Sequence, residues 1–182
     1  MTSADASSDR PPAPSDTSYM ALSQFHAGES MLDDTDDLVK IRIDIPDDPR
    51  STSESFWALP LGGDLYELRN NPFLAFDLHF LDVVRAITDA AGEWPRIREV
   101  VRRSGHKTLR VFFLNKLPEP EQADLLARLR PHRYERISPS FVAIDVAPEG
   151  SYQGVCNQLG EWQQQGILQY ETGMSKGEES AT

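Results

Sequence analysis

The sequence predicts a single α+β domain over residues 39–173, behind an acidic tail, on three observations. Val39, Ile41, Ile43 and Ile45 alternate with Lys40, Arg42 and Asp44, the period-two pattern of a half-buried strand. Short strand-like runs broken by Gly, Pro and Asn continue to Leu114. After Pro118 the apolar spacing turns helical, twice, with strand-like runs between and after.

Residues 1–38 are rich in Ser, Thr, Asp, Pro and Ala with no sustained apolar period. Such a chain cannot bury enough surface to offset the entropy of ordering, so disorder is expected. Within it Tyr19, Met20, Leu22, Phe25, Met31 and Leu32 sit among Glu29, Asp33, Asp34, Asp36 and Asp37. That mixture is either inert or folds onto a partner through Tyr19, Leu22 and Phe25.

Pro46, Asp47, Asp48 and Pro49 stop the first strand. A second, Glu54 to Leu61, turns at Gly62, Gly63 and Asp64 into a third, Leu65 to Leu68, giving a hairpin that Asn70, Asn71 and Pro72 break. The run from Phe73 to Ile87 is ambiguous between strand and short helix, with Asp82 to Ile87 reading best as a strand. Residues 39–107 therefore read as a small curled β-sheet or barrel. Arg96 to Arg103 and Thr108 to Leu114 flank Ser104, Gly105 and His106 and read as a long hairpin.

Glu119 and Glu121 open a helix that carries Ala123, Leu125, Leu126 and Leu129 and is stopped by Pro131. Tyr134 to Ile137 and Phe141 to Val146 read as strands around a Ser138, Pro139, Ser140 turn. Ser151 to Gln165 reads as a second helix with Val155, Leu159 and Trp162 on one face and Gly166 beyond its end, and Ile167 to Tyr170 as a last strand. From Thr108 onward the order is strand, helix, strand, strand, helix, strand. That is a ferredoxin-like βαββαβ unit over residues 108–173, with both helices expected on one face of a four-stranded sheet. Residues 174–182 are expected to be a disordered C-terminus.

The net charge of −11 changes meaning when divided along the chain. Residues 1–38 hold eight acids and one base, residues 39–170 eighteen acids and sixteen bases, and residues 171–182 three acids and one base. The acidity thus belongs to the tails. One cysteine, Cys156, excludes an internal disulfide and fits a reducing compartment, so the cytoplasm is expected. No apolar run is long enough for a membrane span, and residues 1–10 lack the pattern of a secretory signal.

From Val39 to Gly173 the chain resembles the bacterial family known as domain of unknown function 4265. The matching phrases are Glu54-Ser55-Phe56-Trp57-Ala58, Tyr66-Glu67-Leu68, Asn70-Asn71-Pro72-Phe73, Asp82-Val83-Val84, Arg103-Ser104-Gly105-His106 and Thr108-Leu109-Arg110. The resemblance rests on their order and spacing together and implies no activity, cofactor or catalytic residue. In that family a glycine often precedes the Asp-Val-Val phrase, where this chain has Phe80 and Leu81.

Few residues point to chemistry. Ser104, His106 and Asp82 are the residue types of a hydrolase triad, but the serine lacks the flanking glycines of a nucleophile elbow, and a structural turn is the simpler reading. The four histidines show no metal-ligand spacing and no glycine-rich phosphate loop occurs, so no metal and no cofactor is expected. Cys156 reads as a buried structural cysteine. Arg96, Arg98, Arg102, Arg103, Lys107 and Arg110 read as the chain's one basic cluster. Strand alternation aligns Arg98, Arg102 and Arg110, which with His106 would form an anion site; the plainer reading is a solvated face paired with acids. Trp57, Phe73, Phe76, Phe80, Phe112, Phe113 and Phe141 read as core, and Trp94 as either tucked under the hairpin or exposed for recognition.

The function expected is therefore a non-catalytic intracellular protein-binding module, of which a toxin-neutralising or nuclease-inhibiting protein is one form. The alternative is a small-molecule or nucleic-acid binder, or less readily a hydrolase, using Arg98, Arg102, His106 and Arg110. Nucleic acid is disfavoured because the aromatic phrase of an RNA-recognition sheet is missing. An edge strand in the second half leaves room for a homodimer.

Overall fold

The structure, a computed structural model, describes residues 37–45 and 51–174. The tail, with Tyr19, Leu22 and Phe25, the Pro46 to Pro49 stop and nearly all of the expected C-terminal tail lie outside them. Met174, the exception, is buried at the end of the last strand.

The chain is a mixed α+β fold, mostly strands with two helices. Strands β1 (Val39–Asp44), β2 (Ser53–Gly62), β3 (Leu65–Leu68), β4 (Val83–Ile87) and β5 (Arg96–Arg102) run antiparallel in sequence order. They close into a barrel where β5 meets β1 in parallel at Arg42 and Arg96, with Arg42 N–H donating to the Pro95 carbonyl at 2.9 Å. Alternation turns Ile41, Phe56, Ala58, Leu68, Val84, Ala86 and Ile97 inward, where they form one core.

Strands β6 (Lys107–Phe113), β7 (Arg133–Ser138), β8 (Phe141–Val146) and β9 (Leu168–Thr172) form a second, antiparallel sheet in the order β7-β8-β6-β9. Helix α1 (Glu119–Ala127) starts after Pro118, with Glu119 and Glu121 set against the positive end of its dipole. Helix α2 (Tyr152–Gln164) is capped by Ser151, whose Oγ accepts from Gly154 N–H at 3.1 Å. Val155, Leu159 and Trp162 from α2 and Leu126 and Leu129 pack on Leu109, Val111, Phe113, Val142, Ile144, Val146 and Leu168 of the sheet. Each large side chain buried there contributes about 2 kcal/mol. Cys156 is half-buried beside this core.

The expected hairpin of Arg96–Arg103 with Thr108–Leu114 does not form. Strand β6 spends both edges on β8 and β9, while β5 pairs with β4 along its length and with β1 at Arg96, so β6 has no edge left for β5. Ser104 to His106 instead link the barrel to the second sheet. Gly105 takes φ +86 there, and a Cβ would lie 3.1 Å from Pro148 Cγ.

Residues 69–82 join the two halves physically. Ala75 and Leu78 fill the barrel core, while the polar groups of the segment lie on the sheet face that the helices leave free. The segment ends in a tight turn, Asp82 N–H donating to the His79 carbonyl at 3.2 Å, with Leu81 at φ +61, left-handed backbone that glycine adopts without strain. Three aromatics read as core are exposed: Trp57 and Phe112 sit on outward-facing strand positions, and Phe76 lies where the 69–82 segment reaches the surface.

Candidate functional site

The structure does not bring Arg98, Arg102, His106 and Arg110 together. Two register shifts along β5 break the alternation that would align the arginines, and Arg110 belongs to the other sheet. Arg98 pairs with Asp89 on the outer barrel wall, and Arg102, 68% exposed, reaches only to 3.7 Å from Glu67. Arg110 is fully buried, donating to the Ala75 carbonyl and to Glu171 Oε1 (3.1 Å) with its guanidinium 4.4 Å from the centre of the Phe76 ring. His106 holds Asp145 through Nδ1 at 2.7 Å.

Ser104, His106 and Asp82 are neighbours, but not in the order of a triad. The Ser104 hydroxyl lies 2.7 Å from the Phe80 carbonyl and 3.0 Å from Asp82 Oδ1, and it accepts the His106 backbone N–H at 3.2 Å. The His106 ring serves Asp145, so serine and imidazole share no side-chain hydrogen bond and the geometry of an activated nucleophile is missing. Asp82, fully buried, also accepts the backbone N–H groups of His79 (3.0 Å) and Ser104 (2.8 Å) and fixes both turns.

Buried polar residues gather where the 69–82 segment meets the sheet. Glu135 Oε1 accepts both the backbone N–H (2.9 Å) and the Nδ2 (3.1 Å) of Asn71. Burial pushes the Glu135 carboxyl up to about 7, with Asp145 adding to the shift while the Asn71 donors and Arg133 oppose it. Burial also raises Asp145, against the pull of His106, and lowers His79 to about 4. His79 Nδ1 accepts the Thr108 backbone N–H at 3.2 Å, which fits the neutral ring.

These shifts act on stability in opposite directions. Glu135 ionises at lower pH in the unfolded chain than in the fold, so its contribution falls as pH rises from about 4.5 to about 7 and stays low above. His79 protonates first in the unfolded chain, so its contribution is lost as pH drops from about 6.5 to about 4. Glu135→Gln keeps the acceptor for Asn71 without the charge and is expected to raise stability by about 2 kcal/mol at pH 8 and little at pH 5. Urea unfolding at the two pH values checks this, and the same gain at both would contradict the assignment.

On the outer barrel wall, register sets Lys40 opposite Trp57, and the loop before β5 brings Trp94 to the other side. The Lys40 ammonium lies 4.4 Å from the Trp57 ring centre and 5.9 Å from that of Trp94. Burial lowers the Lys40 pKa. Both indoles remain open, Trp57 at 41% and Trp94 at 47% exposure, so of the two readings of Trp94 the exposed one is what the fold adopts. A separate open groove of about 310 Å³ is lined by Ile43, Ile97 and Phe76, with Arg98 and Arg103 among its walls. Among the described residues no group of three His, Cys, Asp or Glu is placed to hold a metal ion. No helix among them is long and apolar enough to cross a membrane.

A second basic cluster escaped the sequence reading. Residues 128–136 hold Arg128, Arg130, Arg133 and Arg136, a density that composition alone signals. Arg128, Arg130 and Arg133 are exposed, Arg133 lying 5.3 Å from the Phe80 ring centre, while Arg136 donates to Gln122 Oε1 (2.7 Å) and the Pro139 carbonyl (2.9 Å). Glu135, Glu54 and Lys40 were also missed, because nothing in a single chain marks which charged residue will be buried or flanked by aromatics.

A crystal structure of a hypothetical protein from Neisseria gonorrhoeae has a similar fold, with a TM-score of 0.65 at 16% identity, covering 75% of this chain and 94% of that one. No curated protein matches the chain. Residues 54–170 match the model of the family described as Domain of unknown function (DUF4265), and the protein belongs to that family.

Proposed function

We propose that this protein is a non-catalytic protein-binding module of the cytoplasm, its second half a ferredoxin-like unit. The observation that supports it most is the pair of open indoles, Trp57 and Trp94, flanking Lys40 on a rigid barrel wall. Large exposed aromatics already fixed in place, Trp57 on β2 and Trp94 in the loop that leads into β5, lose little entropy on binding and dominate interface energetics. The narrower form, a toxin-neutralising or nuclease-inhibiting protein, draws on the acidic tail, since an acidic chain steers toward basic enzymes. An anion-binding role for Arg98, Arg102, His106 and Arg110 has less support, because acidic groups lie beside all four.

Affinity capture from native extract with the full chain tests the reading against Trp57→Ala/Trp94→Ala. A stoichiometric protein partner is expected, with affinity lower by roughly thirtyfold or more in the variant, the cost of losing about 2 kcal/mol of hot-spot contact. Equal recovery by both proteins would remove the platform from the function.

A further inference from the structure

The two edges of the second sheet are not alike. Hydrogen bonding of Gly173 N–H to the Thr108 carbonyl and of Leu114 N–H to the Ile167 carbonyl fixes which groups of β9 face β6. Those of Leu168, Tyr170 and Thr172 face outward, and Gln163 Oε1 from α2 closes the middle by accepting Tyr170 N–H at 3.1 Å.

The other edge is β7. Phe113 N–H donates to the Ser140 carbonyl, so Val142, Ile144 and Val146 aim their backbone groups at β6 and Ala143 and Asp145 aim theirs at β7. Their partners Glu135 and Arg133 answer them, which leaves the N–H and C=O of Tyr134 and Arg136 pointing outward. Among the described residues these four groups have no hydrogen-bond partner.

The surroundings of that edge are basic and apolar. Arg128 and Arg130 are exposed at its start and, among the described residues, neither forms an ion pair, while Arg133 lies over Phe80 and acts on the carboxylates of Glu135 and Asp145. Tyr134 and Ile137 are exposed along it. In a chain of net charge −11, unpaired arginines gathered beside an open strand form a local field of opposite sign to the whole.

We propose that the β7 edge is a strand-addition site for an extended acidic peptide. Main-chain bonds to Tyr134 and Arg136 supply the pairing, the arginines select acidic side chains, and Tyr134 and Ile137 cover the apolar ones. A polyanion such as single-stranded nucleic acid would use the arginines but not the alternating donors and acceptors of the edge. The site lies on the opposite half from Trp57 and Trp94 and stands independently of the module proposed above.

The test is a titration of the isotope-labelled full chain, read by amide NMR at low ionic strength. The probe is a capped nonapeptide alternating valine and glutamate. One control is the same peptide with every backbone nitrogen methylated, and the other is a nine-nucleotide oligothymidylate. Saturable shifts centred on Tyr134 and Arg136 are expected, weakened at least tenfold by methylation and by Arg128→Glu/Arg130→Glu, whose side chains are exposed. Trp57→Ala/Trp94→Ala is expected to bind the peptide unchanged, which separates this site from the barrel platform. No binding, equal binding of the methylated peptide, or tighter binding of the oligothymidylate would each overturn the proposal.

Discussion

Arg110→Ala is expected to destabilise the protein by on the order of 3–5 kcal/mol, the largest effect of any single change described. Arg110 is the largest fully buried side chain, and it ties the sheet to the segment that plugs the barrel. Removing it strips the Ala75 carbonyl of its donor, opens space beneath Phe76, and leaves Glu171 without its guanidinium. Arg110→Met separates packing from hydrogen bonding, because it refills most of the space while donating nothing. About half of the loss should return in that variant, measured by urea unfolding. A loss under about 1 kcal/mol in Arg110→Ala would mean that the segment is held by its apolar contacts alone.

Glu54→Ala is expected to cost roughly 2–4 kcal/mol, from the barrel side of the same segment. Its two carboxylate oxygens accept the backbone N–H groups of Phe73 (2.6 Å), Leu74 (3.1 Å) and Ala75 (2.7 Å), three consecutive donors with no strand to pair with. Burial raises the Glu54 pKa, and the three donors and Arg110 work against that rise. Glu54→Gln should recover little, since one end of the amide would turn N–H against N–H. Glu54 and Arg110 both fix Ala75, so the double variant should lose less than the sum of the single losses. Additive losses would show that the barrel and sheet grip the segment separately. Hydrogen exchange of residues 73–78 in each variant gives the local readout.

The strands and helices were legible because each is written in a local period. Val39, Ile41 and Ile43 announce β1 by alternation, and Val155, Leu159 and Trp162 announce α2 by helical spacing, both borne by a few contiguous residues. The error at Arg96–Leu114 came from the same rule. Two strands around a short turn read as a hairpin unless each edge is known to be occupied, and both edges of β6 are taken by β8 and β9, strands that lie beyond α1 and beyond α2 respectively in the chain. Trp57 and Phe112 failed in a similar way: a large aromatic favours burial on average, but which face of a strand meets the core depends on what packs there, and Phe76 is exposed where an irregular segment reaches the surface.

Family membership, the α+β content and the separation of an acidic tail from a nearly neutral remainder were determined by the sequence alone, since they depend on composition and on patterns a few residues long. The closing of β1 on β5, the burial of Arg110 and Glu135 beneath residues 69–82, the opening of Trp57 and Trp94 around Lys40, and the contrast between a capped β9 and an open β7 were decided only in three dimensions. Each of these depends on groups that meet only when separate elements pack together. The energy of a buried charge or an unpaired backbone group is set by its neighbours in space, which no local period encodes.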